Sequence, residues 1–416
     1  MSEPDVSQLL TVAQAIAVID GVPVAPRIVR VPLGEARGLY LAQDLAADRD
    51  YPPFDKSLMD GYAVRAADVA AGPAALRWAG EVAAGAQAAR PLAAGEAMAI
   101  MTGAPLPAGA DGVVPIEETT REGETVRILR AVDPTRFIAR QGADIAAGTI
   151  VLRRGTRMEA AQLAVAATIG AHHVDVHPRV RAAVLSTGDE LVEIDQTPRG
   201  SQIRNSNGLM GVALLQRLGC DVADLGIVVD QKDAIRAAIE DGLQHDVLFI
   251  SGGMSMGAYD YVPQLLREMK LDLQITKLRI KPGKPFVFAT GEKTGTGTVS
   301  SASANRSYVF GLPGNPVSGF VCTVRLASRL IERLAGGVPR ERWVTAKLAS
   351  PLPANGPREF YQPAKLAWPA AGPVATPLGW KGSADLFTLA TADGLLVREE
   401  NEPARSAGDV VRVLEI

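Results

Sequence analysis

The sequence predicts an α/β protein with a central doubly wound domain. A helical/β N-terminal region carrying a β insertion precedes it, and a small C-terminal all-β domain follows. Three observations carry this reading. From Val180 onward, short apolar runs alternate with helical patterns, the rhythm of strand, crossover and strand that builds a parallel sheet. Val247-Leu248-Phe249-Ile250 is apolar without a break, as a strand covered on both faces must be. The rhythm is absent on either side: residues 45–145 are rich in Gly, Ala and Pro with short alternating runs, and after Gly336-Gly337 the pattern turns to strands.

In chain order, residues 11–20 place Val12, Ala15, Ile16 and Ile19 at helical spacing and end at Gly21. A second such helix, residues 158–169, stops at Gly170. The segment between them, with alternating runs such as residues 125–129 and a turn signal about every ten residues, reads as a mostly β insertion. The expected division is a discontinuous N-terminal domain (1–44 and 146–178), the insertion (45–145), the α/β domain (179–335) and the C-terminal β domain (336–416). Within the α/β domain, 181–185 and 221–229 read as strands, 209–218 as a helix closed by Gly219, and 232–243 as a helix with Ile235, Ala238, Ile239 and Leu243 on one face. A last helix runs from Val317 to the neighbourhood of Leu334. The Gly/Ser/Thr-rich stretch 291–307 reads as a surface loop or hairpin tip. Residues 343–348 and 411–416 are strands of the final domain.

Composition narrows the function. The chain has 416 residues, 47% of them hydrophobic, and 43 Lys plus Arg against 46 Asp plus Glu give a net charge of −3. No global basic field exists for nucleic-acid binding, so any anion site must be local. The first residues show no secretory pattern and no uncharged run is long enough to cross a bilayer, so a cytoplasmic location without membrane contact is expected. Cys220 and Cys322 lack metal spacing and read as buried thiols. His172, His173 and His177 have no matching ligands nearby and read as a polar loop flanking an edge strand.

Three segments carry the chemistry: Ser251-Gly252-Gly253-Met254-Ser255, Lys281-Pro282-Gly283-Lys284-Pro285 and Leu312-Pro313-Gly314-Asn315-Pro316-Val317-Ser318. Each begins where an apolar run gives way to small residues, which gathers them at the carboxyl edge of one sheet, where open α/β sheets bind ligands. Glycines let backbone amides approach an anion, and Lys281 and Lys284 supply ammonium donors. Lys277 is expected on the same strand as Lys281, facing the same side by period-2 alternation. Ser318 and the amides after Pro316 would cap the same anion. The chemistry implied is the handling of phosphate-like oxyanions.

Two further segments add to this, Pro52-Pro53-Phe54-Asp55-Lys56-Ser57-Leu58-Met59-Asp60-Gly61-Tyr62-Ala63 and Ser186-Thr187-Gly188-Asp189-Glu190-Leu191. The first reads by itself either as a rigid loop or as part of a site. In this order and spacing the five segments closely resemble the MoeA family, the molybdopterin molybdenumtransferases that include the gephyrin E domain, over nearly the whole chain. The resemblance implies that the central domain is of the molybdopterin-binding type. It implies a transferase that takes adenylylated molybdopterin and molybdate and, with Mg²⁺, cleaves the adenylate, releases AMP and installs molybdenum on the dithiolene. It also implies a lysine and serine pocket for molybdate near Asp260, which alternatively is an ordinary N-cap of the following helix.

Asp60, Thr102 and Asp144 match family positions that reach into a partner's active site, which implies a homodimer with composite sites. Arg358 and Ser383 align with residues near the molybdate entrance. Glu190 and Asp230, with Asp189 as a further donor, sit at predicted strand ends where oxygen ligands suit Mg²⁺; Asp230 reads equally as a cap for the helix after Gln231. Lys56, Gln231 and Ala143 depart from residues common in the family, and the loss at Gln231 of an acidic neighbour bears on the magnesium site. The adenylyltransferase of the preceding step and molybdoenzyme targets are the expected protein partners. The competing functions are that adenylyltransferase itself, which would match only residues 180–334, and a gephyrin-like scaffold.

Overall fold

The computed structural model describes residues 9–83, 85–254, 261–293 and 305–416. Helix α1 (Val12–Gly21) opens with a capping box, in which Thr11 Oγ1 accepts from the Gln14 amide at 3.1 Å and Gln14 Oε1 accepts from the Thr11 amide at 2.9 Å. Strands β1 (Val29–Pro32) and β2 (Tyr40–Leu41) follow. The insertion sheet then uses β3 (Gly61–Val64), β4 (Ala74–Val82), β5 (Glu96–Ile100), β6 (Gly112–Pro115), β7 (Thr119–Glu122) and β8 (Thr125–Ile128) in the order β6-β3-β5-β4-β8-β7. Alternation along β3 sends Tyr62 and Val64 to one apolar cluster and Ala63 to another, so both faces of this sheet are covered.

The chain returns through α2 (Ala160–Thr168) and β9 (His173–His177), and β9 lies between β1 and β2 as the middle strand of a three-stranded antiparallel sheet. This corrects the reading of the histidines as a polar loop beside an edge strand. Val174 and Val176 are fully buried while His173, Asp175 and His177 take the other face, a period of two that makes the segment a strand.

The central sheet contains β10 (Arg181–Thr187), β11 (Asp221–Val228), β12 (Val247–Ser251), β13 (Asp272–Ile275), β15 (Val287–Glu292) and β16 (Arg306–Leu312). A two-residue strand, β14 (Ile280–Lys281), belongs elsewhere. The order is β11-β10-β12-β16-β15-β13, with the first four parallel and the last two antiparallel to their neighbours. The antiparallel edge arises because β15 pairs antiparallel with β16, the strand that follows it in sequence. Of the stretch 291–307 read as a loop or hairpin tip, residues 291–292 and 306–307 are strand residues, and 294–304 lie outside the described residues.

Helices α3 (Ser206–Arg217), α4 (Lys232–Gly242) and α5 (Val262–Glu268) alternate with the strands, and a last helical run is made of α6 (Pro316–Cys322), a π-helical turn (Thr323–Ala327) and α7 (Ser328–Leu334). The fold is doubly wound. Residues of α1, α3 and α6–α7 pack with Ala182, Val184 and Phe249 on one face of the sheet, while Ile235, Ile239, Leu265 and Leu266 of α4 and α5 pack with Ala183, Leu185 and Leu248 on the other.

The last unit is a closed barrel. Its strands β17 (Trp343–Leu348), β18 (Glu359–Ala367), β19 (Val374–Pro377), β20 (Gly394–Arg398) and β21 (Val410–Glu415) run in the order β18-β19-β17-β21-β20, and β20 pairs back onto β18. A short helix, α8 (Leu386–Leu389), crosses between β19 and β20. Closure removes the exposed edges that a small open sheet would present. Strand β14, contributed by the α/β unit, adds in parallel to β18, and Tyr361, Leu395 and Leu414 of the barrel share the apolar core of the α/β unit.

Candidate functional site

The carboxyl ends of β10, β12 and β16 carry Gly188-Asp189-Glu190, Ser251-Gly252-Gly253 and Pro313-Gly314-Asn315-Pro316. Val287, the first residue of antiparallel β15, faces Gly311 near the end of β16, so the Lys281–Pro285 segment that precedes it reaches the same rim. Two of these loops demand glycine. Gly252 has φ +97°, and a Cβ there would lie 2.3 Å from the Thr187 carbonyl oxygen. Gly283 has φ +120°, and its Cβ would lie 2.7 Å from Cys322 Sγ, so the turn between the two lysines packs backbone directly against α6.

Asn207, which sequence reasoning missed, ties the loops together. From the first turn of α3 its Nδ2 donates to Ser251 Oγ at 3.1 Å and to the Gly314 carbonyl at 2.7 Å. The only sequence signal was an amide residue two positions after the Asn205 cap, indistinguishable from an ordinary helix start.

Lys277 and Lys281 do not lie on one strand, and this expectation is corrected. After Ile275 the chain leaves the central sheet; Leu278 bridges to Leu10, and Ile280 and Lys281 pair with Glu359 and Phe360 of the barrel. The stretch is nevertheless extended. Leu278 and Ile280 are fully buried, while Lys277 and Arg279 are half-buried and Lys281 exposed, so the alternation places the lysines on the outward side. Arg279 between them is committed to Glu400 of the barrel. Lys281 Nζ lies 4.4 Å from the centroid of the Phe360 ring, a cation–π contact worth about 0.5–1 kcal/mol at an exposed position. Lys284 is half-buried on the same loop, and its carbonyl accepts from the Leu278 and Phe286 amides at 3.0 Å each.

Ser318 is 3% exposed in the first turn of α6. The Val317 amide, expected to face an anion, instead donates to the Ser383 carbonyl at 3.0 Å. Ser383 is thereby placed against α6, and Arg358 directly precedes the barrel residues paired with β14. Both therefore border the rim.

On the acidic side, Asp189 Oδ1 accepts the Asp230 amide at 3.0 Å, which brings the ends of β10 and β11 together. The N-cap position of α4 is Gln231, so Asp230 is not its cap. The Glu190 carboxylate folds over Gly188, close enough to occupy the position of a Cβ there. Among the described residues no group of three or more His, Cys, Asp or Glu side chains could hold a metal by itself. Asp189, Glu190 and Asp230 bring carboxylate oxygens to this edge, the donor type that suits Mg²⁺, an ion that keeps several waters and needs only one or two protein carboxylates beside phosphate oxygens. Asp260 lies outside the described residues.

In the insertion, Asp60 and Thr102 form a unit. Asp60 Oδ1 accepts from the Thr102 amide at 2.7 Å and from its hydroxyl at 2.8 Å, and these two donors hold the Asp60 carboxyl below its usual value. Asp144 is exposed on a loop anchored by its amide to the Tyr51 carbonyl at 3.0 Å. Among the described residues no hydrogen bond or ion pair joins Asp60, Thr102 or Asp144 to the rim of the central sheet. Within one chain there are thus two groups, the rim and the Asp60–Thr102 pair. Cys220 and Cys322 are both buried; burial pushes the Cys220 thiol up to about 12 and raises that of Cys322 as well, so neither is a thiolate near neutral pH.

Three family models cover the chain almost end to end: the MoeA N-terminal region (domain I and II) over residues 10–170, the probable molybdopterin binding domain over 183–333, and the MoeA C-terminal region (domain IV) over 345–416. A doubly wound sheet with a glycine- and lysine-lined rim, an inserted β unit and a terminal barrel thus falls in the class of multidomain molybdopterin-binding proteins. A molybdopterin molybdenumtransferase of Nostoc sp. is 34% identical over 93% of this chain and 88% of its own length. Molybdopterin molybdenumtransferase 2 of Mycobacterium tuberculosis is 34% identical over 94% of this chain and 96% of its own. The crystal structure of the molybdopterin biosynthesis moeA protein from Pyrococcus horikoshii OT3 superposes with a TM-score of 0.83 at 27% identity, covering 98% of this chain and all of that one (100%). The chain belongs to the MoeA family, the molybdopterin molybdenumtransferases.

Proposed function

We propose that the protein is a molybdopterin molybdenumtransferase, a transferase of molybdenum cofactor biosynthesis that takes adenylylated molybdopterin and molybdate and releases AMP. The observation that carries the reading is the convergence of Lys281, Lys284, the Ser251–Gly253 loop and Ser318 on one rim of the α/β sheet, in a chain that matches its family from end to end.

In this reading Lys277, Lys281 and Lys284 neutralise the oxygens of molybdate, and the Gly252 and Gly253 loop lets backbone amides approach the phosphate of the adenylate. Such chemistry needs charge stabilisation and positioning more than a protein nucleophile. Glu190 and Asp230, with Asp189, would hold Mg²⁺, which when bound supplies positive charge to the phosphate oxygens. The Asp60–Thr102 pair and Asp144 act on the rim of a second copy, giving a homodimer with composite sites. Arg358 and Ser383 guide the oxyanion in.

The test is AMP release from adenylylated molybdopterin with Mg²⁺, with and without molybdate. Molybdate-dependent release is expected, with loss of at least about two orders of magnitude in the Lys281→Ala and Asp60→Ala variants while both remain folded. ATP consumption with unadenylylated molybdopterin would replace this function by adenylyl transfer. Full activity in both variants would overturn the placement of the site.

A further inference from the structure

We infer that Arg325 is a positioning residue for the oxyanion rim, holding from inside the last helix the barrel strand on which Lys281 is registered. The inference rests on the proposed role of that rim in binding oxyanions.

Arg325 lies in the π-helical turn, a deviation that re-aims side chains and recurs at functional places in helices. Its side chain is 12% exposed. The Nε donates to Tyr361 Oη at 2.7 Å, Nη1 pairs with Glu341, and the guanidinium lies 5.5 Å from the Trp343 ring centroid. Tyr361 is fully buried on β18, and its hydroxyl donates to Glu359, two residues earlier on the same strand. Glu359 and Phe360 are the register partners of Ile280 and Lys281, and the Lys281 ammonium sits on the Phe360 ring. One guanidinium is therefore connected through two side chains to the strand pair that carries Lys281. The helix that bears Arg325 carries Ser318 about two turns earlier, so a single element fixes both the serine side and the lysine side of the rim.

A plain stabilising bond would be felt by the whole fold; a positioning contact is felt where β14 meets β18. The conservative probe is Tyr361→Phe, which keeps the ring and removes the hydroxyl that links Arg325 to Glu359; Arg325→Ala is the stronger one. Hydrogen exchange and molybdate titration, with Lys281→Ala as the reference, separate the possibilities. Expected are faster exchange of the 279–282 and 359–361 amides with unchanged protection in β10 and β12, a KM for molybdate raised about tenfold with kcat retained, and partial recovery of the Arg325→Ala defect by added guanidinium.

If Lys281→Ala loses molybdate binding while Tyr361→Phe and Arg325→Ala bind it as the parent does, the positioning role is overturned and the rim stands. Uniformly faster exchange across all strands also overturns it. Normal binding by Lys281→Ala removes the rim reading itself.

Discussion

Asp60 shows how little side-chain machinery is needed to tune a carboxylate. Its carboxylate is exposed, yet two donors from Thr102 keep it ionised further into acid than a free aspartate. Because the folded-state pKa is depressed, whatever this bond contributes is present above the unfolded value and is lost as pH falls through the folded one. Thr102→Val removes the hydroxyl and keeps the amide, so the Asp60 pKa should move part of the way back up toward its ordinary value, as carboxyl NMR titration would show. No movement would mean that the backbone amide alone sets it. At Gly283 the constraint is steric. Gly283→Ala forces both a Cβ against Cys322 Sγ and a side chain into φ +120°, and should lower stability by about 1–3 kcal/mol in urea unfolding and weaken molybdate binding as the lysines on either side shift. The glycine itself was legible in the sequence, as part of a Lys-Pro-Gly-Lys turn. Its reason was not, because the sulfur it touches is 39 positions away.

Among elements, the buried strands read most clearly. Val247–Ile250 has a continuous apolar run and is covered on both faces, as expected from composition alone. The errors fall where one residue pattern serves two structures. Residues 173–177 alternate like a strand but are rich in histidine, and the valines decide the matter by burial. Residues 277–281 alternate as foreseen, but their pairing partner is a barrel strand beginning about 80 positions later, a distance no local pattern encodes. Asn207 and Arg325 were overlooked for a related reason, since a polar residue within a helix has the same signature whether it faces solvent or a buried neighbour. Strand β18 also offers a test by pH. Burial is the main cause that raises the Glu359 carboxyl, with Glu400 and Glu399 adding to it and Tyr361 and Arg325 opposing. The native state therefore holds that proton more tightly than the unfolded chain, so the associated stability is full below the unfolded value of about 4.3 and is lost as pH rises through the folded one. Glu359→Gln should flatten that fall in urea midpoints measured upward from pH 4. An unchanged slope would assign it to another group.

On the scale of the whole molecule, the rim and the Asp60–Thr102 pair belong to different units and make no hydrogen bond or ion pair with each other among the described residues of a single chain. The composite-site proposal turns this separation into a quantitative expectation. Mixing inactive Asp60→Ala with inactive Lys281→Ala and allowing subunits to exchange should restore activity at about one quarter of all sites, because half of the randomly formed dimers are mixed and each has one intact site. Activity that stays at zero after exchange, with mixed dimers verified by mass, would place both residues in the same protomer's site.

The parallel addition of Ile280 and Lys281 to the barrel has a further consequence for anyone who would treat this protein as a kit of parts. Cutting the gene at Gly336-Gly337 does not release two interchangeable modules, since the first part would surrender the backing of its own Lys281 and the terminal part would lose a neighbour along the flank of Glu359 and Phe360. Chimaeras that swap terminal barrels between relatives should succeed only when the short 279–282 stretch travels with them.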